Sequence, residues 1–315
     1  FASSARVPKP SNLEPWDASP TRRGFKGGDL LGIAERLDYL EDLGINALYL
    51  NPIFRSAANH RYHTHDYYQI DPLLGGDAAF RTLLDRAHAH GIRVVLDGVF
   101  NHTGRGFYQF NHIAENGPKS PYVDWFLIRD FPLRAYEEDR PPNYAAWWDN
   151  RELPKLNTGN AEVREFVMEV AEYWLNQGID GWRLDVPLDI EAEGFWQEFR
   201  RRVKAINPDA YILAEIWDNA VEWLAGDCFD AAMNYPFSRA CYGFFGGELL
   251  DDSVRPGGFP VKALEGEAFA IAIRQGLDLY DWDVVLSQYN LLGSHDVPRF
   301  LTMVGGDERR LRLAT

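Results

Sequence analysis

In residues 29–50, hydrophobic residues first recur at the three- to four-residue spacing of a helix and then form a short continuous run. The apolar residues of the first helical pattern, which follows Asp29, are Ile33, Leu37, Leu40 and Leu43. Gly44 ends this pattern, and the apolar run 47–50 comes directly after it. A short apolar run behind a helix stop is typical of a buried strand. The pattern therefore predicts a helix followed by a strand.

This helix-to-strand unit recurs along the chain. Helical patterns over 80–87, 163–174 and 195–203 lead into apolar runs that end at Asp97, Asp185 and Glu215. Two more apolar runs, 229–233 and 284–292, are predicted as strands, and a last helix begins near Asp307. The chain thus contains six predicted strands separated by helices.

Alternation of helices and strands indicates an α/β fold with parallel pairing, which closes most naturally into a (β/α)8 TIM barrel. The sequence pattern predicts only six of the eight strands of such a barrel. Because a helix precedes the run 47–50 and another begins near Asp307, we expect the first and last barrel strands outside this chain. Their absence would leave two open sheet edges, so we expect the sequence to be a fragment of a longer polypeptide.

The stretch 102–157 interrupts this rhythm with Pro, Asn, Trp and Tyr. It is predicted as a small irregular inserted domain after the third barrel strand, here called the insert. Residues 1–101 and 158–315 then form the barrel.

Three carboxylates follow apolar runs in order along the chain: Asp185, Glu215 and Asp296. A buried strand cannot hold an unpaired charge, so these side chains should emerge where the strands end, facing one cleft. Any one of them could instead cap a helix or pair with a neighbouring arginine. Taken together, three acids at strand ends indicate glycoside chemistry.

Composition excludes several other functions. The chain has 47 acidic and 32 basic residues and a formal charge of −15, which repels phosphate backbones and argues against a nucleic-acid partner. No apolar stretch reaches the ~18 residues that span a bilayer, so no membrane partner is expected. Cys228 and Cys241 are too few for a disulfide framework.

Several motifs resemble the α-amylase family, glycoside hydrolase family 13. The matching blocks, in family order, are Asp97-Gly98-Val99-Phe100-Asn101-His102, Gly181-Trp182-Arg183-Leu184-Asp185, Glu215 after its strand, and His295-Asp296. The segment Leu153-Pro154-Lys155-Leu156-Asn157 resembles a block of the neopullulanase and cyclomaltodextrinase branch, and His60-Arg61-Tyr62 resembles a His-x-Tyr segment.

The resemblance implies that Asp185 is the nucleophile, Glu215 the general acid and base, and Asp296 the acid that stabilises the distorted sugar. It further implies that His102 and His295 donate to sugar hydroxyls and that Tyr62 stacks on a sugar ring. Arg183 lies two residues before Asp185 on the same strand face, so it can keep this carboxylate anionic. Asp97 is expected either to support the site through hydrogen bonds to Arg183, as the resemblance implies, or to contact the sugar directly.

The resemblance also raises the question of calcium. Many family members bind it between the barrel and the insert, through an Asn that corresponds to Asn101 and an Asp at the position of Lys155. An ammonium group has no lone pair for a hard cation. No cofactor is therefore expected to be required, and this calcium site is expected to be disrupted by Lys155, while calcium binding elsewhere, at a surface cluster of acids, is left open.

The sequence thus predicts a retaining hydrolase of α-1,4 bonds, with some α-1,6 tolerance, in maltooligosaccharides and cyclodextrins. Alternatives are a glucan transferase, a trehalose or maltose isomerase, or a non-catalytic sugar-binding homologue. The expected partner is an oligosaccharide, with a homodimer through a missing N-terminal domain as a further expectation. Relatives of this branch favour a cytoplasmic location.

Overall fold

The structure, a computed structural model, describes residues 3–11, 13–19 and 21–315. Phe1 and Ala2, at the start of the predicted barrel segment 1–101, lie outside the described residues. The chain separates into two units, Phe1–Tyr211 and Ile212–Thr315. The first unit contains α1 (Leu30–Ala34), α2 (Leu37–Asp42), β1 (Ala47–Leu50), β2 (Phe54–Ser56), β3 (Thr64–Ile70), α3 (Gly76–Ala89), β4 (Arg93–Gly98), α4 (Tyr108–Asn116), α5 (Ala161–Asn176), β5 (Gly181–Leu184) and α6 (Phe195–Ile206).

The sheet of the first unit is parallel, as the helix–strand alternation predicts. β4 pairs with β1 on one side and with β5 on the other. The register places Asp97 of β4 opposite Arg183 of β5. Because parallel strands end on the same side of a sheet, this register brings two charged side chains together where the strands stop.

The first predicted helix is in fact two helices, α1 and α2, separated at Arg36, where φ is −124° and ψ is 15°. Asp29 caps α1 by accepting a hydrogen bond from the Gly32 amide at 2.7 Å. The four-residue spacing from Ile33 to Leu37 continues the helical period across the break, so the pattern could not reveal it. The predicted helices that precede β4, β5 and β6 are confirmed as α3, α5 and α6.

The antiparallel pair of β2 and β3 was not predicted from the sequence. Its longer strand reads Thr-His-Asp-Tyr-Tyr-Gln-Ile, which lacks the strict polar and apolar alternation that marks a strand. The loop between the two strands carries the His-x-Tyr segment. Arg61 in this loop has a φ of 62° and lies 3.3 Å from the Asp71 carboxylate.

The insert consists of short elements held by isolated bridges rather than by a sheet. α4 is its longest helix, and the bridges join Phe126 to Leu156, Ile128 to Tyr144 and Ala146 to Pro154. Its core is aromatic and includes Phe107, Phe110, Trp125, Phe126 and Tyr144, all buried. The bounds 102–157 stay a prediction.

The second unit contains most of β6 (Tyr211–Ala214), then β7 (Ala231–Ala232), α7 (Tyr235–Gly246), α8 (Gly266–Asp278), α9 (Trp282–Ser287), α10 (Phe300–Met303) and α11 (Glu308–Ala314). β6 and β7 are parallel. Tyr242 of α7 is buried with Val261, Phe300 and Val304 in a small core. Among the residues that the structure describes, every helix is too short or too polar to cross a bilayer.

The predicted strand 284–292 is wrong, because 282–287 forms α9 and only Tyr289 makes an isolated bridge, to Met233. A short apolar run cannot by itself separate a strand from one helical face. The helix near Asp307 is confirmed as α11, which Asp307 caps through its side chain. The run 229–233 shortens to the two residues of β7.

Candidate active site

A buried guanidinium joins two carboxylates at the ends of β4 and β5. Arg183 donates through Nη1 to Asp97 Oδ1 at 3.0 Å and to Asp185 Oδ1 at 2.9 Å. The side chains of Arg183 and Asp97 are 0% exposed and that of Asp185 is 9% exposed. We call these three residues, which are two acids and the arginine between them, the acid triad. Both contacts are charge-assisted hydrogen bonds between buried groups, which is the stronger kind of hydrogen bond.

Two tyrosine hydroxyls complete the surroundings of Asp97. Tyr49 of β1 donates to Asp97 Oδ2 at 2.6 Å, and Tyr62 donates to the same oxygen at 2.8 Å. Burial and the Asp97 charge raise the pKa of both phenols, so the hydroxyls remain protonated donors at neutral pH. Asp97 thus accepts hydrogen bonds from three side chains, Arg183, Tyr49 and Tyr62, which suits a supporting carboxylate rather than a reacting one.

The chain turns sharply after Asp185. Val186 has φ 36° and ψ 52°, a left-handed conformation that is rare for a β-branched residue. The short 3₁₀ helix Pro187–Asp189 follows directly. This turn ends β5 at Leu184 and carries Asp185 out of the strand, so its carboxylate is the least buried member of the acid triad. Backbone strain at such a position is common next to functional groups.

His102 lies in the interior rather than on an open surface. It is 1% exposed, and its ring is near-parallel to that of Trp147, with centroids 5.5 Å apart. Burial, aided by the nearby His63 and Lys155 charges, lowers the pKa of His102 to about 3. The imidazole is therefore neutral at physiological pH and can donate one N–H and accept one hydrogen bond.

The residues at the family's calcium position do not fit that ion. Asn101 Oδ1 is buried without a hydrogen-bond partner among the described residues, but it is a single oxygen. Lys155 donates through Nζ to the Asp189 carbonyl at 3.2 Å, so a cation already belongs to this region. Calcium requires six to eight oxygen ligands. Within the described part of the chain, no group of three Asp, Glu, His or Cys side chains is arranged to hold a metal.

In the second unit, Glu215 directly follows β6 and is 6% exposed. Trp217, two residues on, stacks on Tyr235 with ring centroids 3.8 Å apart and planes 8° apart. Arg239 donates to the Trp217 carbonyl at 2.8 Å. These contacts fix the segment that carries Glu215.

His295 and Asp296 of the second unit form a partly exposed pair. His295 Nε2 lies 3.2 Å from Asp296 Oδ2, with side chains 29% and 34% exposed. The Asp296 amide donates to Ser294 Oγ at 3.1 Å, which orders the loop locally. Water therefore reaches this pair.

The structure brings Tyr62, Asp97, Arg183 and Asp185 into direct contact within the first unit, and His295 and Asp296 within the second. The roles assigned to all the site residues, including Glu215 and His102, stay predictions. Sequence reasoning missed Tyr49 as a partner of Asp97. The available signal was a phenol inside an otherwise aliphatic strand, since a buried hydroxyl must find a hydrogen-bond partner.

Carboxylates at the ends of parallel strands, two of them joined by a buried arginine, are the kind of feature that barrel glycosidases use. The family model for the α-amylase catalytic domain matches residues 9–315. The chain therefore belongs to the α-amylase family through this domain, and the predicted (β/α)8 fold class is confirmed.

Individual relatives agree with this assignment. The cyclomaltodextrinase of Geobacillus thermopakistaniensis (strain MAS1) is 46% identical, over 99% of this chain and 50% of that protein. A crystal structure of a Thermus thermophilus protein is 54% identical with a TM-score of 0.94, covering 100% of this chain and 66% of the other. The debranching enzyme of Nostoc punctiforme is 51% identical with a TM-score of 0.91, again over 100% and 66% of the two chains. The chain thus spans about half the length of the curated relatives that it matches.

Proposed function

We propose that this chain is the catalytic part of a retaining α-glucan hydrolase. The substrates are maltooligosaccharides, cyclodextrins or related α-glucans, cleaved at α-1,4 bonds. The observation that carries the proposal is the acid triad, because a carboxylate held anionic by a buried arginine at a strand end is poised to attack.

In the first step, an Asp185 oxygen attacks the anomeric carbon while Glu215 gives its proton to the leaving glycosidic oxygen. The bond to the leaving sugar breaks and a covalent glycosyl–Asp185 ester forms. In the second step, Glu215 takes a proton from water, whose oxygen attacks the anomeric carbon and releases Asp185. The two inversions retain the configuration, and Asp296 stabilises the distorted sugar.

The remaining side chains bind the sugar. A neutral His102 can donate to a hydroxyl, His295 does so beside Asp296, and the Tyr62 ring covers an apolar sugar face. A further part of the proposal is that no calcium is required at Asn101. The Lys155 ammonium supports this, because it supplies a positive charge where the family's ion would contribute one.

A second candidate activity is the cleavage of α-1,6 branch linkages. The match to the Nostoc debranching enzyme favours it. A glucan transferase or an isomerase of the same family would use the same covalent intermediate, with a sugar in place of water as the acceptor. A non-catalytic sugar-binding role is less well supported, because all three acids are present. We also propose a cytoplasmic location, and a homodimer formed through a segment outside this chain.

Product analysis tests these alternatives together. The full-length protein is incubated with β-cyclodextrin, pullulan, starch, maltotriose and trehalose, and products are separated by chromatography. We expect maltose and glucose from β-cyclodextrin and maltotriose, and no conversion of trehalose. Longer oligosaccharides from maltotriose would indicate transfer, and release of maltotriose from pullulan would indicate α-1,6 cleavage. No conversion of any substrate would contradict the proposal.

A further inference from the structure

Trp148 presents its ring to solvent. It is 83% exposed, the largest exposed fraction among the large apolar side chains of the described residues. Its ring stacks on that of Trp147, with centroids 4.5 Å apart and planes 11° apart. One indole face is thus covered by Trp147, which leaves the other face available to a ligand.

The backbone under this ring is strained. Trp148 has φ 50° and ψ 37°, and Asp149 has φ 55°. The left-handed region is unfavourable for any residue with a Cβ. Trp148 is largely exposed, so its main packing contact is the one with Trp147. Strain that packing does not explain is more often found at ligand sites than elsewhere.

Trp147 connects the two stacked indoles to the segment that follows Asp185. Its Nε1 donates to Asp189 Oδ2 at 2.8 Å, and Asp189 closes the short helix that follows Asp185 and Val186. The Trp147 ring also stacks with His102, a candidate sugar-binding residue. Trp147 is thus tied to residues next to the proposed chemistry, and Trp148 stacks on Trp147.

We propose that the open face of Trp148 binds a glucosyl ring of an α-glucan chain, at a subsite separate from the sugar position at Tyr62. This inference rests on the proposed function, because it takes the same class of substrate. The C–H face of a pyranose is apolar and flat enough to cover an indole. A ring that is already fixed loses little conformational entropy on binding. The subsite makes the enzyme favour chains that extend beyond the bond that is cleaved.

The test compares long and short substrates in the full-length protein. The value of kcat/KM is measured with maltoheptaose and with maltotriose for the wild type, Trp148→Gly and Trp148→Phe. Glycine removes the ring and tolerates the left-handed backbone, so Trp148→Gly should fold. The matched control is Trp16→Ala, which removes an indole that is 55% exposed in the same unit.

We expect Trp148→Gly to lower the ratio of kcat/KM for maltoheptaose to that for maltotriose by about 5- to 20-fold, the order expected for a lost apolar contact of tens of Å². Trp148→Phe should keep most of the ratio and Trp16→Ala all of it. A ratio within twofold of the wild type in Trp148→Gly would overturn the proposal. An equal loss on both substrates would do so as well.

Binding separates this inference from the proposed function. If the wild type cleaves neither substrate, the proposed function fails. Calorimetric titration then measures the affinity for maltoheptaose without interference from turnover, and so tests the subsite by itself. A dissociation constant for maltoheptaose that is about fivefold or more higher in Trp148→Gly than in Trp16→Ala would support the subsite. Equal affinities would overturn it.

Discussion

The acid triad of the first unit and the His295–Asp296 pair of the second unit place charge in opposite environments. Arg183 and Asp97 are 0% exposed, whereas the side chains of His295 and Asp296 are 29% and 34% exposed. In the triad each charge is fixed by a protein partner in a medium that screens weakly. In the exposed pair, water and dissolved salt screen the interaction between His295 and Asp296.

The difference shows that the protein's own structure controls the charged groups in the acid triad, whereas solvent has a larger influence on the His295–Asp296 pair. A buried carboxylate without its arginine would either take up a proton or destabilise the fold. An exposed carboxylate loses little when its partner is removed. The triad should therefore couple stability to activity, and the exposed pair should not.

The largest expected effect comes from the triad member that reacts. Asp185→Asn keeps the shape and can still accept from Arg183, but a neutral amide cannot form the covalent ester. We expect kcat on maltotriose to fall by about 10⁴-fold or more while the substrate still binds. Asp85→Asn, in an exposed ion pair on α3, is the control and should retain the wild-type kcat. Unchanged turnover in Asp185→Asn would remove the nucleophile assignment.

Removing the arginine breaks the triad from its centre. Arg183→Met leaves two buried carboxylates without a cation, so the free energy of unfolding should fall by about 3–5 kcal/mol. Arg6→Met breaks an ion pair whose side chains are 63% and 41% exposed and should cost less than about 1 kcal/mol. Urea denaturation measures both. Similar losses in the two variants would contradict the contrast drawn here.

His102 extends the comparison to pH. Its folded-state pKa of about 3 lies below the unfolded value of 6.5, so the unfolded chain binds the proton first as pH falls. Its contribution to stability is complete above pH 6.5 and decreases toward pH 3. The stability of the wild type relative to His102→Gln should therefore fall by about 2 kcal/mol between pH 7 and pH 5. A difference that stays constant over this range would show that His102 is not held neutral.

Much of the fold follows from apolar spacing, which places α3, α5 and α6 before β4, β5 and β6, with Gly91 and Gly178 marking the ends of α3 and α5. The contact of Arg183 with Asp185 follows from a two-residue spacing on one strand face. Tyr49 and the left-handed backbone at Trp148 do not follow, because each depends on residues distant in sequence or on local strain. The misassigned strand at 284–292 shows that a short apolar run does not specify its own period.

Two adjacent glycines test how firmly the second unit positions Trp217. A Cβ on Gly257 would lie 2.1 Å from Trp217 Cε3, whereas one on Gly258 would meet nothing within 4 Å. Both residues have positive φ, so Gly257→Ala and Gly258→Ala share the backbone cost and differ in the clash. Gly257→Ala should cost about 1–3 kcal/mol more and should alter tryptophan fluorescence. Equal losses would mean that Trp217 moves freely.

The smallest expected effect is that of chelation. Because Lys155 takes the position of a calcium-binding carboxylate, we expect excess EDTA to leave the melting temperature and the activity unchanged. A drop of several degrees that calcium restores would contradict this expectation.

The most direct test of the central claim is to trap the covalent intermediate. A fluorinated α-maltosyl fluoride forms the glycosyl ester and slows its hydrolysis, and peptide mass spectrometry then locates the label. We predict a single adduct on Asp185, and none on Asp97, whose oxygens are occupied by Arg183, Tyr49 and Tyr62. A label on another residue, or release of product with inverted configuration and no adduct, would contradict the account.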